Sequence, residues 1–419
     1  MNVTARPPVI VCYVPGLDAR RVDREVTPCL AALREQHPVL GIRTLPCTEL
    51  VPTLLSGTWP HQHKVWQVSL RPEFRNARPP RLRDRLPDSL VTTAQCVQHF
   101  FDRTYDLAAI PARRRRRFNQ HRFKYTRRAA SDDGLAEFSG FPTIFGLLGD
   151  RSRYMFTKDF DSLPELACTL PDTTRQLEFL EMYALDLMQH WHLDDTQRMA
   201  EALSCTDRFV SDLHANCQRR GQRFVLLVDH GQELVVGTIP LVQVLRRSGI
   251  PDTEYSYFAE LSAVRLWCHS ERARRALPDV VRALPHTTLL TWREMHQYHA
   301  CFDDDSFGEY YAFADAGWIF FPHDFYQPIG NAVLGLMDQH QRGRALNPVH
   351  RGNHGYLPHY PSERGWMIVT DATLAANRTE AELIDVAPTL LSLAGVAPPD
   401  HMKGTALYAG DGHRTERLA

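Results

Sequence analysis

The chain has 419 residues and carries 48 Lys and Arg side chains against 49 Asp and Glu side chains, which gives a formal net charge of −1. This balance argues against a protein dedicated to nucleic acids or membrane surfaces, because such proteins contact phosphate groups through an overall excess of Lys and Arg. The length allows two or three structural units. No stretch approaches the ~20 apolar residues of a membrane-spanning helix, so we expect no membrane partner.

The nine cysteines are odd in number, widely spaced and free of any Cys-x-x-Cys pair. This pattern is typical of reduced thiols rather than of a disulfide framework. The apolar run near the N-terminus, Val9 to Val14, is too short for the hydrophobic region of a signal peptide. We therefore expect a cytoplasmic protein. The sequence indicates no particular oligomeric state.

Short apolar strands alternate with helices along the chain. The run Val9–Val14 predicts a buried strand that ends at a Pro-Gly turn, and the pair Thr27–Pro28 starts a predicted helix with the threonine as N-cap. Phe224–Val228 and Trp366–Val369 predict two further strands, and a helix is expected over 381–393. Together they predict an α/β fold with a central, mostly parallel sheet, whose ligands lie at the carboxyl ends of the strands.

Two stretches differ from this pattern and are predicted to be inserted regions. Residues 71–139 are rich in arginine and include the run Arg113–Arg117, which could receive an anionic group. Residues 241–345 mix aromatic strands with acidic loops and are predicted to form a cap that contacts the substrate. The core is then assigned to residues 1–70, 140–240 and 346–419.

Three clusters combine side chains that bind metal ions. Asp186 and His190 are four residues apart, which places both side chains on one face of a helix. Asp229 and His230 directly follow a predicted strand, and His354 lies in a glycine-rich loop. Carboxylate oxygens and neutral imidazoles are suitable ligands for Zn²⁺ or Mn²⁺.

The order of these clusters resembles the alkaline phosphatase superfamily, most closely its type I phosphodiesterase/nucleotide pyrophosphatase branch. The resemblance covers most of the chain. The residues that carry it are Thr27-Pro28-Cys29-Leu30, the segment Leu54 to His63, Asp186 with His190, Asp229-His230-Gly231, Asn353-His354-Gly355-Tyr356 and the closing segments Asp385 to Leu390 and Leu393 to Val396.

The resemblance implies an alkaline-phosphatase-like sandwich with an inserted cap, and one or two zinc ions per chain. Family members use two ions about 4 Å apart to clamp the oxygens of an in-line displacement at phosphorus. By resemblance Asp186, His190 and His354 would hold one ion, and Asp229 and His230 the other.

The nucleophile implied by the resemblance falls at Cys47, or at Thr48 one residue off register. Related sulfatases convert a cysteine at this position to formylglycine, with Pro two and Arg four residues later. Glu49 and Val51 stand at those positions here, which argues against that modification. An unmodified Cys47 could act as a thiolate if a nearby metal ion lowers its pKa.

The chain departs from the family at the end of the first predicted strand. An Asp ligand of the second metal is expected there, immediately or three residues before Gly16, but Pro15 and Tyr13 occupy these positions. Asp18 is the nearest carboxylate and would reach the site only if the turn were remodelled.

These observations predict a metal-dependent hydrolase that acts on a phosphate ester, phosphodiester or pyrophosphate bond of a small anionic substrate. Neutrality of the chain is compatible with such a substrate because bound metal supplies positive charge. Two alternatives remain open. The first is a repurposed enzyme that uses one metal for non-phosphoryl chemistry, such as a metal-assisted hydrolysis, elimination or group transfer in a biosynthetic pathway, and the second is a non-catalytic metal-binding protein.

Overall fold

A computed structural model of the chain describes residues 6–46, 49–66, 68–72, 114, 117–120, 135–324, 350–374 and 378–409. The chain divides into two compact units. The first unit comprises residues 1–65, 123–233 and 358–419, and the second comprises residues 66–122 and 234–357. The assignment of residues 71–139 and 241–345 to an insertion and a substrate cap stays a prediction.

The first unit is built on a seven-stranded sheet in the order β7-β2-β6-β5-β1-β4-β3. Strand β1 pairs in parallel with β4 on one side and with β5 on the other, while β6 runs antiparallel to both of its neighbours. The α/β fold with a mostly parallel central sheet, as predicted from the sequence, is confirmed. The strands are β1 Val9–Tyr13, β2 Leu40–Arg43, β3 Ser152–Thr157, β4 Leu177–Met182, β5 Arg223–Val228, β6 Arg364–Val369 and β7 Glu380–Glu382.

Every residue of β1 is buried because both faces of the sheet are covered. Alternate residues such as Val9 and Val11 pack into one apolar cluster, and Ile10 and Cys12 pack into the other. The helices of the first unit are α1 Pro28–Gln36, α2 Leu50–Ser56, α3 Pro60–His63, α4 Ile144–Leu148, α5 Leu163–Thr169, α6 Ala184–His192, α7 Thr196–Arg219 and α8 Val386–Leu393. Helices α2, α4 and α8 contribute to the first cluster, and α1, α5, α6 and α7 contribute to the second.

The helix predicted over 381–393 begins later than expected. Residues Glu380–Glu382 pair in parallel with β2 as an edge strand, and a 3₁₀ turn over Leu383–Asp385 precedes α8. The first residues of the predicted helix therefore belong to the sheet. Further 3₁₀ turns cover Ala19–Arg21, Gly149–Arg151, Phe160–Ser162 and Pro361–Glu363, and short strands pair as Glu137–Phe138 with Phe141–Pro142 and as Thr373–Leu374 with Tyr408–Ala409.

Helix α1 begins at Pro28, as predicted, but its cap comes from elsewhere in the chain. Thr27 occupies the N-cap position without donating or accepting a capping hydrogen bond. The buried carboxylate of Asp207 on α7 instead accepts the free backbone N–H groups of Leu30 at 2.8 Å and Cys29 at 3.2 Å. Satisfying these N–H groups fixes α1 against α7.

The turn between α2 and α3 is organised by one buried histidine. His63 is fully buried, and its Nδ1 accepts the backbone N–H of Val65 at 3.1 Å. Its Nε2 therefore carries the proton and donates to the Oγ1 of Thr53 at 2.9 Å. Burial, with a smaller contribution from His61, lowers the pKa of His63 to about 3.

The second unit contains a four-stranded antiparallel sheet in the order Tyr255–Ala259, Ala263–Cys268, Tyr310–Ala314, Thr287–Thr291. The fully buried guanidinium of Arg265 lies 4.4 Å from the ring centroid of Trp66 and hydrogen-bonds Glu260 at 3.3 Å. The other elements are the strands Val68–Leu70, Phe118–Gln120, Gly237–Ile239, Trp318–Phe320 and Gly352–Asn353, the helices Leu241–Arg247 and Glu271–Arg282 and the 3₁₀ turn Glu294–Tyr298, while the strand Glu233–Leu234 crosses the unit boundary.

Two arginines of the Arg113–Arg117 run are described. Arg114 forms two hydrogen bonds to the carboxylate of Asp324, at 2.6 and 2.8 Å, and its guanidinium lies 3.7 Å from the ring centroid of Tyr257. Arg117 donates to the backbone oxygen of Tyr255 at 3.0 Å. These two side chains are therefore engaged within the second unit. Among the described residues, no helix combines the length and apolar character that crossing a bilayer requires.

Replacing Asp207 by Ala removes the acceptor that caps α1. We expect the free energy of unfolding to fall by about 1–2 kcal/mol, the usual cost of losing a helix cap. Urea unfolding followed by circular dichroism measures the change. Asp212→Ala, at an exposed position of the same helix, serves as the control, and equal destabilisation by the two variants would contradict the capping role.

The buried neutral His63 makes stability depend on pH. Its pKa is about 3 in the folded chain against an ordinary 6.5, so the unfolded chain binds the proton first. This contribution is complete above pH 6.5 and is lost as the pH falls toward 3, by up to about 1.4 kcal/mol per pH unit. We expect His63→Gln, which cannot titrate, to lose less stability than the wild type between pH 7 and pH 4.5 in urea unfolding. Parallel losses in the two proteins would argue against a neutral buried His63.

Candidate metal centre

The predicted metal-binding side chains of the first unit lie at the carboxyl ends of two parallel strands, β4 and β5. Asp229 and His230 follow β5 directly, and Asp186 lies in the first turn of α6, which begins two residues after β4. Strand β1 lies between β4 and β5 and ends at the turn that contains Gly16. Since the three strands are parallel, the two clusters and this turn meet at one edge of the sheet.

Helix α6 places Asp186 and His190 on one face, as their spacing predicts. Asp186 Oδ2 lies 3.3 Å from His190 Nε2. The carboxylate is almost fully buried, whereas the imidazole remains partly accessible. An acidic side chain in the first turn is also stabilised by the positive end of the helix dipole.

The carboxylate of Asp186 is held by a glutamine from the loop that follows β5. Gln232 donates its Nε2 to Asp186 Oδ1 at 2.6 Å and to the backbone oxygen of the same residue at 3.0 Å. Gln189 donates its Nε2 to the backbone oxygen of Gly16 at 2.8 Å. Gly16 has a φ of +78°, and a Cβ there would lie 2.9 Å from Asp186 Oδ1. A glycine is therefore required where the β1 turn approaches Asp186.

The Asp229–His230 pair has a defined hydrogen-bond arrangement. The Nδ1 of His230 lies 2.9 Å from the backbone oxygen of Gly231, to which it donates, so that in the neutral imidazole Nε2 is the nitrogen with the lone pair needed to bind a metal ion. Asp229 Oδ1 accepts the backbone N–H of His230 at 2.9 Å. Asp229 Oδ2 accepts the hydroxyl of Tyr13 at 2.5 Å and lies 3.3 Å from His230 Nε2.

The two pairs form one cluster rather than two separate ones. A carboxylate oxygen of Asp186 and a ring nitrogen of His230 lie within 4.8 Å of each other. Burial raises the pKa of the Asp229 carboxyl. Burial alone lowers the pKa of His230, but the negative charges of Asp229, Asp186 and the buried Glu363 outweigh this effect and raise it. The cluster therefore concentrates negative charge in a buried place, which favours a cation.

The chemistry of the donor set fits a divalent ion. Carboxylate oxygens and a histidine whose other ring nitrogen is anchored to a backbone oxygen are typical ligands of Zn²⁺ and Mn²⁺. The side-chain oxygens of Gln189 and Gln232 are also buried beside Asp186 and have no hydrogen-bond partner among the described residues. Buried oxygens without a donor are costly, and a bound cation or water would satisfy them.

Asp18, the nearest carboxylate to the β1 turn, is engaged elsewhere. It is buried, and Arg20 donates its Nη2 to Oδ2 at 2.6 Å and its Nε to both oxygens at 2.9 and 3.0 Å. Asp18 also caps the 3₁₀ turn that follows it. A Cβ on Gly231 would lie 2.5 Å from Asp18 Oδ2, so the two loops pack tightly here. Its carboxylate is therefore paired with an arginine.

For three predicted site residues, Cys47, Thr48 and His354, the role in the site stays a prediction. Cys47 and Thr48 lie outside the described residues, and their role as the nucleophile stays a prediction. His354 belongs to the second unit, where it follows the short strand Gly352–Asn353, and its role as a ligand also stays a prediction.

Sequence reasoning missed the residues that orient the ligands. Gln232 directly follows Asp229-His230-Gly231 and could have been included as part of the same loop. Gln189 faces the same turn as Asp186, one residue before His190. Tyr13 stands where the resemblance implies a carboxylate, and its hydrogen bond to Asp229 joins two residues that are 216 positions apart in the chain.

Comparison by sequence gives no relative: no protein-family model matches the chain, and no protein of curated function matches it. Comparison by structure does. The murine ectonucleotide pyrophosphatase / phosphodiesterase 5 aligns with a TM-score of 0.58 and 14% identity over 94% of this chain and 97% of that chain.

Two further structures agree. An inactive variant of the murine protein in complex with AMP aligns with a TM-score of 0.59 and 13% identity, over 94% of this chain and 96% of the other. The human ectonucleotide pyrophosphatase / phosphodiesterase 5 aligns with a TM-score of 0.60 and 14% identity, over 96% and 97%. At this identity the similarity establishes the fold, and the chain has the alkaline-phosphatase-like fold of these phosphodiesterases.

Proposed function

We propose that this chain is a metal-dependent hydrolase acting on a phosphate ester, phosphodiester or pyrophosphate bond of a small anionic substrate. The observation that carries the proposal is the cluster of the buried Asp186, Asp229 and His230 with the partly accessible His190 at the carboxyl edge of the sheet. The similarity in fold to nucleotide pyrophosphatases / phosphodiesterases supports the reaction class.

The residues of the cluster would hold at least one divalent ion, Zn²⁺ or Mn²⁺. When bound, the ion supplies Lewis acidity at a phosphoryl oxygen. Gln232 orients Asp186, and the backbone oxygen of Gly231 fixes the tautomer of His230. His354 is proposed as a further ligand on the sequence motif alone.

Attack on phosphorus is assigned to Cys47 or Thr48, on the resemblance of the segment that follows them. Either side chain would form a covalent bond to phosphorus and displace the leaving oxygen, and water would then release the phosphoryl group. Arginine or lysine side chains would neutralise the charge that spreads over the phosphoryl oxygens.

A repurposed enzyme is the second candidate, and one observation favours it. The carboxylate expected at the end of β1 is replaced by Pro15, and Tyr13 bonds Asp229 there. A centre with one metal could support non-phosphoryl chemistry, such as a metal-assisted hydrolysis, elimination or group transfer. A non-catalytic metal-binding protein is the remaining alternative and is an outcome of the tests below.

We also propose that the protein acts in the cytoplasm. The support is the set of free thiols, which a reducing compartment maintains. The seven described cysteines are all free, and they are Cys12, Cys29, Cys168, Cys205, Cys217, Cys268 and Cys301.

Replacing Asp186 by Asn removes one anionic ligand from the cluster and keeps its shape. We expect the bound zinc or manganese to fall, and kcat/KM on bis(4-nitrophenyl) phosphate to fall by about 100-fold or more. Elemental analysis of the purified chain and a colorimetric assay measure the two effects. Asp194→Asn, an exposed aspartate after the same helix, is the matched control.

Unchanged metal content in Asp186→Asn would remove Asp186 from the centre. Metal bound by the wild type without hydrolysis of any phosphate mono- or diester would favour the repurposed enzyme or the binding protein. Purified wild-type chain that binds neither Zn²⁺ nor Mn²⁺ would overturn the proposed function.

The nucleophile is tested by the single variants Cys47→Ser and Thr48→Ala. We expect one of them to lose activity by at least about 100-fold, since a nucleophile acts only in the chemical step. Metal content should stay at the wild-type level in both variants. If both retain full activity, no enzyme-bound intermediate forms in this loop.

A further inference from the structure

The end of β1 offers no ligand for a second metal ion. The resemblance places an Asp directly before Gly16, but Pro15 has neither a side-chain donor atom nor a backbone N–H. The next candidate on the strand, Tyr13, is almost fully buried. Its hydroxyl is directed at Asp229, the residue that would share the second ion.

Both oxygens of Asp229 are already engaged by groups of the protein. Oδ1 accepts the backbone N–H of His230 at 2.9 Å, and Oδ2 accepts the hydroxyl of Tyr13 at 2.5 Å. A phenol donating to a carboxylate at this distance is a strong, charge-assisted hydrogen bond. An ion bound through Oδ2 would have to share this oxygen with the Tyr13 hydroxyl, which draws on the negative charge that the oxygen offers to a cation.

The phenol has little freedom to move away. The ring of Tyr13 belongs to the apolar cluster on one face of the sheet and lies 5.7 Å, centroid to centroid, from the ring of Phe179. In a close-packed protein interior, a buried side chain cannot adopt a new rotamer without displacing its neighbours. The nearby Asp18 provides no replacement because Arg20 contacts both of its oxygens.

The other half of the cluster is arranged differently. Asp186 Oδ2 lies near His190, while Oδ1 is oriented by Gln232. His230 is anchored through Nδ1, and its ring approaches Asp186 within 4.8 Å. These groups can bind an ion without breaking the Tyr13–Asp229 hydrogen bond.

We infer that the centre binds one divalent ion, shared by Asp186 and His230, and that the Tyr13–Asp229 hydrogen bond replaces the second ion implied by the resemblance. This inference rests on the proposed metal-dependent function and specifies its metal count. Asp229 then acts as a hydrogen-bond acceptor that positions Tyr13 and His230.

The test is the metal stoichiometry of the full chain. Chelator-treated protein is titrated with Zn²⁺ by calorimetry, and elemental analysis after dialysis gives an independent count. We expect one ion per chain in the wild type. Tyr13→Phe frees Asp229 but adds no ligand, and Pro15→Asp adds a ligand while Asp229 stays occupied, so each single variant should also bind one ion tightly.

The double variant Pro15→Asp with Tyr13→Phe restores the missing carboxylate and frees Asp229. We expect it to bind a second ion at least 10-fold more tightly than Pro15→Asp alone. The matched control combines Pro15→Asp with Tyr154→Phe. This replacement removes an equally short phenol–carboxylate hydrogen bond, 2.5 Å to Glu181 on the neighbouring strand, and should leave one tight ion.

The outcomes separate the two proposals. Two tightly bound ions in the wild type would overturn this inference and leave the proposed function standing, whereas no bound ion would overturn both. A second ion gained equally in the control would show that Tyr13 has no special role. If the double variant does not fold, as judged by thermal melting, the wild-type and single-variant counts still decide the number of ions.

Discussion

The burial of Asp186 and Asp229 beside two histidines is the constraint on which the rest of the centre depends. Carboxylates removed from water need compensation by donors, cations or protonation. Part of that compensation is visible in the protein itself: Gln232 donates to Asp186, and Tyr13 and a backbone N–H donate to Asp229. The remaining negative charge is the feature on which the proposed divalent ion depends.

Strand β1 gives this arrangement its geometry. Because β1 lies between β4 and β5, its end separates the Asp186 side of the cluster from the Asp229 side. Gly16 lets the turn pass close to Asp186, and Tyr13 contacts Asp229. In the family that this chain resembles, the corresponding strand carries a metal ligand. Here it carries the hydroxyl of Tyr13, which donates a hydrogen bond to Asp229. A strand buried on both faces holds such a donor firmly in place.

Much of the fold followed from local patterns. The apolar runs at Val9 and Phe224 identified central strands, and the four-residue spacing of Asp186 and His190 identified two side chains on one helical face. The predicted helix over 381–393 started too early because its first two residues, Ala381 and Glu382, pair with β2. Thr27 was expected to cap α1, but Asp207, 177 residues from Leu30, provides the acceptor. In both cases a partner distant in sequence replaced the local preference.

The sequence by itself determined which residues are available for the site: the strands, the Asp-x-x-x-His helix and the Asp-His pair after β5. These features depend on periodicity and spacing over a few residues, which are local properties of the chain. Only the tertiary structure decided that Asp186 and His230 share one cluster, that Gln232 orients Asp186 and that Tyr13 engages Asp229. These contacts depend on strand order, because the order of strands in a parallel sheet sets which strand ends become neighbours, and no local pattern specifies it.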